Sequence, residues 1–405
     1  MRILLFLDSG FDTWGPSLHL YKDLIEDFLE SGHVVHLIES YSTRKDPEVP
    51  DSFLKYDNFS YDLLKLNVVK KSHFAKRYLE GVRYCYSSIP LLKKMTGFDI
   101  AMVQSCPWAP FAVSFVKKYV KVPTVYNVQD MFPGSSIASG VMTQKWMQKI
   151  FFAFHKIAYR KADAISVISE DMKEKVMEQG VPADKIHVIV NWYDDKNMRE
   201  IPWDENVFVK EQNMDRNKFY VQYAGTMGFV FDYKMVLAVA ELLKDHNDIV
   251  FQMIGQGSQK EAFMKEAEER HLDSIQFLPL QKQEMVSHVY SACSICLIPL
   301  KRGVIGNSVP SKAGLLMSCH RTIVNSIDET SDYAQMFIRE KMGVSASNLD
   351  PDAVAEGILL MKENPELCKE YADRGQIFGV KYYSRSVNTT LYKELYEKVY
   401  KDNLR

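Results

Sequence analysis

The sequence predicts an α/β protein of two parallel-sheet halves, and three observations carry that prediction. A strand-helix-strand pattern begins at residue 2, a polar interval without clear periodicity follows residue 194, and the alternation starts again at residue 220. At 405 residues the chain exceeds one ordinary core, and roughly 150 residues per domain allows two or three. One break fits two domains.

Taken in order, Ile3 to Leu7 is an apolar strand run, "SGFDTWGPS" (9–17) a loop, "LHLYKDLIEDFLESG" (18–32) a helical pattern, and "HVVHLIE" (33–39) a strand. Gly32 stands where a helix-ending glycine belongs. Further strands read at 99–105, 123–128 and 164–169, each followed by a loop or helix pattern, which predicts a parallel sheet covered by helices. After "HVIVNWYD" (187–194) comes the interval read as a hinge. The pattern resumes with strand 220–225, helix 232–246, strand 249–255, helix 259–271 and strand 275–279. Tyrosines and leucines at helical spacing over 388–404 predict an amphipathic closing helix. The boundaries drawn are 1–198, a linker at 199–218, a second domain at 219–382 and a closing helix at 383–405.

Composition is that of a soluble globular protein, 46% hydrophobic and 25% charged, with 22 Tyr and 22 Phe available for burial. A net charge of -2 excludes a generally basic nucleic-acid binder, and no nucleic-acid partner is expected. The N-terminal apolar run is too short for a signal-peptide core, and no stretch approaches the roughly 18 apolar residues of a membrane span. A cytoplasmic protein is expected. Six scattered cysteines follow no disulfide framework; Cys293 and Cys296 form a C-x-x-C without a second ligand pair and read as buried structural thiols. No metal-ligand set is apparent.

Ligands of open α/β sheets bind outside the carboxyl ends of the strands, so the loops there are the places to search. In "DSGFDTWGPS", Gly10 and Gly15 either admit a phosphate or sugar near a helix start or only make the turn; the loop is not G-x-G-x-x-G, which argues against a nicotinamide site. "YAGTMG" (223–228) and "MIGQGSQ" (253–259) open two successive strands into glycine loops. "VIGNSVPSKAG" (304–314) follows the strand "SICLIPL" and leads into a helix pattern. There Ser308 and Ser311 are candidate caps, Pro310 suits an early helical turn, and Lys312 falls in the first turn. A cation beside unpaired helix N–H groups suits a diphosphate without a metal; the plain alternative is a surface lysine.

In this order and spacing, "GHVVHLIE", "QDMFPGS", "VIVNWYD", "VQYAGTMG", "MIGQGS" and "NSVPSKAGLLMSC" resemble glycosyltransferase family 4, in its bacterial capsule and O-antigen polysaccharide branch, with enzymes like fucosamine transferases. The resemblance implies a GT-B fold of two Rossmann-like domains, the second binding a nucleotide sugar and the first the acceptor, with the last helix returning to the first. It implies a retaining glycosyltransferase of hexosyl or N-acetylhexosaminyl type, with no metal or other cofactor and a UDP donor. On the resemblance, Lys312 matches the lysine of the family's P-S-K segment, Gly225 and Gly228 its glycine turn near the phosphates, and Asn191 and Trp192 its N-W pair. Together with the loop candidates, the donor side is assigned Gly15, Asn191, Gly225, Thr226, Gly228, Gly255, Gly257, Asn307, Ser308, Pro310, Ser311 and Lys312. Lys312 meets the leaving diphosphate, and Asp130 meets the acceptor or reacting centre. The E-x7-E glutamates of many members fall on Asn307 and Leu315, and their diphosphate-binding Arg and Lys fall near Thr226 and Phe231.

Residues 65–94 hold eight Lys or Arg against one acid, with Phe74, Tyr78, Tyr84 and Tyr86 interleaved. Such a stretch is either a solvated helix face or a surface for anionic lipid headgroups. Because the resemblance implies a polyprenyl-diphosphate-linked saccharide acceptor, the acceptor and membrane side is assigned to Trp14, Lys70, Lys71, Phe74, Lys76 and Arg77, peripheral on the inner face of the plasma membrane. The alternatives are a nucleotide-sugar epimerase of the same fold and a non-catalytic nucleotide- or glycan-binding subunit.

Overall fold

A computed structural model describes residues 1–11, 17–41, 49–67, 69, 73–310 and 312–404. Trp14, Gly15, Lys70, Lys71 and Ser311 lie outside the described residues. The chain divides into two compact units: Met1–Ile137, Met142–Val190 and Asn388–Arg405 form the first, Ala138–Val141 and Asn191–Val387 the second.

In the first unit, strands β1 (Arg2–Phe6), β2 (Val34–Tyr41), β3 (Phe59–Lys65), β4 (Ile100–Gln104), β5 (Thr124–Val128), β6 (Ala164–Val167) and β7 (Ile186–Val188) make one parallel sheet ordered β3-β2-β1-β4-β5-β6-β7. β1, β4, β5 and β6 are short apolar runs almost wholly buried, as strands covered on both faces by helices must be. The order reverses between β1 and β4, the place at which ligands of such sheets bind outside the carboxyl ends. The terminal helix Arg385–Asn403 belongs to this unit from Asn388 onward. It buries Tyr392, whose hydroxyl accepts from Asn127 Nδ2 at 2.6 Å, and Tyr396, whose ring lies 5.2 Å from that of Phe28.

The second unit repeats the design. Strands β8 (Phe219–Thr226), β9 (Ile249–Gln256), β10 (Ile275–Leu278), β11 (Ile295–Pro299), β12 (Thr322–Ile327) and β13 (Gly343–Ser347) form a parallel sheet ordered β10-β9-β8-β11-β12-β13. Three of its helices start on side-chain caps: Asp232 accepts from the Met235 N–H, Ser331 from Ala334 and Asp350 from Ala353. The interval read as a linker is anchored here. Its short helix Val207–Glu211 puts Phe208, fully buried, against Ile254 and Val289, and Asn206 Nδ2 donates to the His288 carbonyl at 2.8 Å. A five-residue helix is too short to show a period, which is why the sequence reads as unstructured there.

Candidate active site

β8 is flanked by β9 and β11, so the second sheet reverses its order between β8 and β11. The loops leaving these two strands meet around Lys312. Its ammonium lies 3.9 Å from the centroid of the Tyr223 ring. A Cβ at Gly225 would fall 1.9 Å from Lys312 Nζ, so only a glycine leaves the ammonium its place. Gly225 also has φ +148°, a conformation L side chains rarely adopt. Lys312 is half-buried, and the protein surrounding its ammonium pushes the pKa down to about 7, with Cys296 working against the shift. Among the described residues no carboxylate pairs with it.

Tyr223 is itself held in place. Its hydroxyl donates to the Thr226 carbonyl at 2.8 Å, and the fully buried ring of Phe231 packs behind it at 4.5 Å. Phe231, near which the resemblance puts a diphosphate-binding cation, is here a core aromatic that supports the ring under Lys312. Gly255 pairs with Gly225 across the β8–β9 ladder, and a Cβ there would fall 2.0 Å from the Gly225 carbonyl oxygen. At Gly257 a Cβ would fall 2.3 Å from the Met227 carbonyl oxygen. The close approach these two glycines permit is thus to protein backbone, which shapes the loop around Lys312. Gly228 adds a carbonyl that accepts from Gln259 Nε2.

The stretch before Lys312 differs from expectation at its caps. The helix is Ala313–Ser318, Lys312 occupies the N-cap position rather than the first turn, and no side chain caps it. Ser308 instead lies in a tight turn, its N–H bonded to the Val304 carbonyl at 3.1 Å, while the Asn307 side chain donates to the Gly303 carbonyl at 2.9 Å. The Pro310 carbonyl accepts from the Ala313 N–H. Six residues carry little macrodipole, so the positive character of the site rests on the lysine. Asn191, with its side-chain oxygen buried and unpartnered, leads into Tyr193, which exchanges backbone hydrogen bonds with Tyr383 and Arg385; Tyr383 packs against Gly314 in the helix that begins after Lys312.

Two further cations border the same loops and were not singled out from sequence. Lys260 Nζ donates to the carbonyls of Gly255 (2.8 Å) and Leu278 (3.2 Å), and Lys301 Nζ donates to Gln259 Oε1 at 3.2 Å. Neither pairs with a carboxylate among the described residues. Each follows the carboxyl end of a strand, β9 and β11, which is the signal that would have found them.

In the first unit, Asp130 is exposed after β5, its N–H 3.5 Å from Ser105 Oγ, and Phe74 stacks on Phe132 with centroids 6.0 Å apart. Asp8, directly after β1, is the carboxylate sequence reasoning missed. Burial raises its pKa to about 7 against the pull of the Arg77 charge and the Trp108 indole. Asp8 Oδ1 and Trp108 Nε1 are nevertheless both buried without a hydrogen bond of ordinary geometry. Lys76 and Arg77 are exposed. Of the interleaved aromatics, Tyr84 is core, its hydroxyl bonded to the Leu7 carbonyl at 2.6 Å; Phe74 and Tyr78 are half-buried against Phe151, and only Tyr86 is exposed. The four interleaved aromatics therefore do not share one exposed surface, because Tyr84 lies on the helix face that covers the sheet. No group of three or more metal-ligating side chains is assembled among the described residues, and Cys293 and Cys296 are free buried thiols 3.4 Å apart.

Residues 23–192 match the model of a glycosyl transferase 4-like domain, and residues 204–378 match that of glycosyl transferases group 1. The chain belongs to glycosyltransferase family 4. Among curated members it is similar to WcaI of Escherichia coli (strain K12), named as a colanic acid biosynthesis glycosyl transferase, 25% identical over 62% of this chain and 63% of WcaI. It is also similar to WbjE of Pseudomonas aeruginosa, named as a glycosyltransferase, 24% identical over 57% of this chain and 58% of WbjE. The matches thus span less than two thirds of those relatives. Among solved structures, sucrose-phosphate synthase from Thermosynechococcus elongatus superposes with a TM-score of 0.78 at 12% identity, covering 99% of this chain and 100% of that one. Anabaena HepE in complex with UDP gives 0.74 at 12% identity, covering 98% and 100%. These likenesses show the GT-B fold.

Proposed function

We propose that this family 4 member is a retaining glycosyltransferase that moves a sugar from a UDP-linked donor, held by the second unit, to a lipid-linked saccharide in cell-surface polysaccharide synthesis, without a metal or other cofactor. The observation that carries the reading is Lys312, a cation without a counter-charge among the described residues at the switch point of the second sheet. Relatives support the finer terms: HepE, of the same fold, has been solved with UDP and with UDP-glucose, and WcaI is named for colanic acid biosynthesis.

In this reaction the bond from the sugar C1 to the donor phosphate oxygen breaks, and the acceptor oxygen bonds to C1 on the same face. The departing diphosphate takes the acceptor proton, leaving UDP and the extended saccharide. Lys312 stabilises the charge that grows on the leaving oxygen, and Lys260 and Lys301 add positive potential at the loops around it. Asp130 and Asp8 are the carboxylates of the first unit assigned to acceptor hydroxyls. The test is a screen of UDP-sugars with polyprenyl-diphosphate saccharides in chelator, reading UDP release and the anomeric coupling of the product. Transfer with an α-donor giving an α-linked product supports the proposal, and inversion removes its retaining part. UDP binding without turnover favours the second reading, a non-catalytic binding subunit. That reading is motivated by Leu315, which stands where many members place a ribose-binding glutamate.

A further inference from the structure

The helix Lys145–Lys161 carries two apolar faces, and only one is used by the fold. The inner face packs Phe151 against Phe132 and Tyr78, each with ring centroids 5.2 Å away, and buries His155, Ala158 and Tyr159. On the outer face Trp146 is 64% and Ile150 57% exposed, and the exposed Ala153 continues their row at helical spacing. Along one edge of this row run Lys145, Lys149, Lys156 and Arg160, on positions i, i+4, i+11 and i+15. No Asp or Glu occurs from Met131 to Ala162, and among the described residues none of these four cations pairs with a carboxylate.

An exposed tryptophan and isoleucine on a helix edged by unpaired cations match the two halves of an anionic bilayer surface. The indole and the aliphatic chain enter the headgroup boundary while the cations meet lipid phosphates. A nucleic acid would satisfy the cations but leave the apolar row in water. No helix among the described residues is long and apolar enough to cross a membrane, so the element lies on the bilayer rather than through it. We propose that the outer face of helix Lys145–Lys161, through Trp146 and Ile150 flanked by Lys145 and Lys149, is the surface by which this chain docks on membranes containing anionic lipid. The proposal rests on the lipid-linked reading above and assigns its membrane contact to an element outside residues 65–94.

The test is sedimentation of the full chain with phosphatidylcholine vesicles with and without phosphatidylglycerol. Each cation near the surface contributes about fivefold in partitioning, so Lys145→Gln/Lys149→Gln is expected to weaken binding to the anionic vesicles by roughly twenty-five-fold. Trp146→Ser/Ile150→Ser is expected to weaken it by about tenfold or more. Trp146→Phe is expected to bind while losing the blue shift of tryptophan emission that wild type shows on binding. Three results would overturn the proposal: no binding to anionic vesicles; wild-type binding in both double variants, with Lys76→Glu/Arg77→Glu losing it instead; or capture by heparin and single-stranded DNA with vesicles ignored. UDP binding measured on the same variants reports the donor site separately, so loss of the docking surface and failure of the proposed transferase are told apart.

Discussion

Burial moves Lys312 and Asp8 toward neutrality from opposite directions. Lys312 was legible because a lone lysine after a proline breaks a regular strand-helix alternation just where a ligand loop belongs. Asp8 was not, because an aspartate after an apolar run is also an ordinary strand-ending residue, and what sets it apart is burial by residues from elsewhere in the chain, which outweighs the opposing Arg77 charge and Trp108 indole. Its pKa of about 7 lies above the ordinary 3.8, so the folded state holds the proton more tightly than the unfolded one. The stabilising term is complete below pH 3.8 and is lost as pH rises through about 7. Three units correspond to about 4 kcal/mol as an upper figure. Asp8→Asn is therefore expected to raise the melting temperature at pH 8 more than at pH 5. Equal shifts at both pH values would show that the carboxylate is not carrying this term.

At the scale of elements, the strands and crossover helices followed from periodicity, whereas the caps and faces at functional places did not. Ser308 looked like a cap because serine before a helix pattern usually is one, but the chain turns at Val304 and starts its helix five residues past Ser308. The outer face of Lys145–Lys161 was illegible because "KIFFAF" is apolar on both sides, and only packing decides which side is core. The glycine loops are the reverse case: their glycines were legible, but their purpose was not. Gly255 combines φ +138° with the carbonyl of Gly225 pressed against it, while Gly303 has φ +77° and open space around it. Gly255→Ala is expected to cost about 3 kcal/mol or more and to disrupt the Lys312 loop; Gly303→Ala should cost only about 1 kcal/mol. Urea unfolding of the two variants would check this, and similar losses would mean that backbone crowding is not what requires a glycine at Gly255.

Across the whole molecule, two sheets of the same winding place two switch points, one at Asp8 and one at Lys312. The repeated α/β pattern made the two sheets readable from sequence, while the anchoring of 199–218 on the second unit depended on Phe208 finding a pocket made by distant residues. The central claim is that Lys312 receives a diphosphate, and it carries a definite pH signature. With the free ammonium near 7 and a bound dianion raising it, binding above pH 7 must take up a proton. The measurement is calorimetric titration of UDP in chelator from pH 7 to 9, in buffers of different ionisation enthalpy, on wild type, Lys312→Arg and Lys312→Ala. The account predicts uptake of about one proton and affinity falling by up to about tenfold per pH unit in wild type, a flat profile in Lys312→Arg, and little binding in Lys312→Ala. UDP affinity that ignores pH, or that survives Lys312→Ala unchanged, would contradict it.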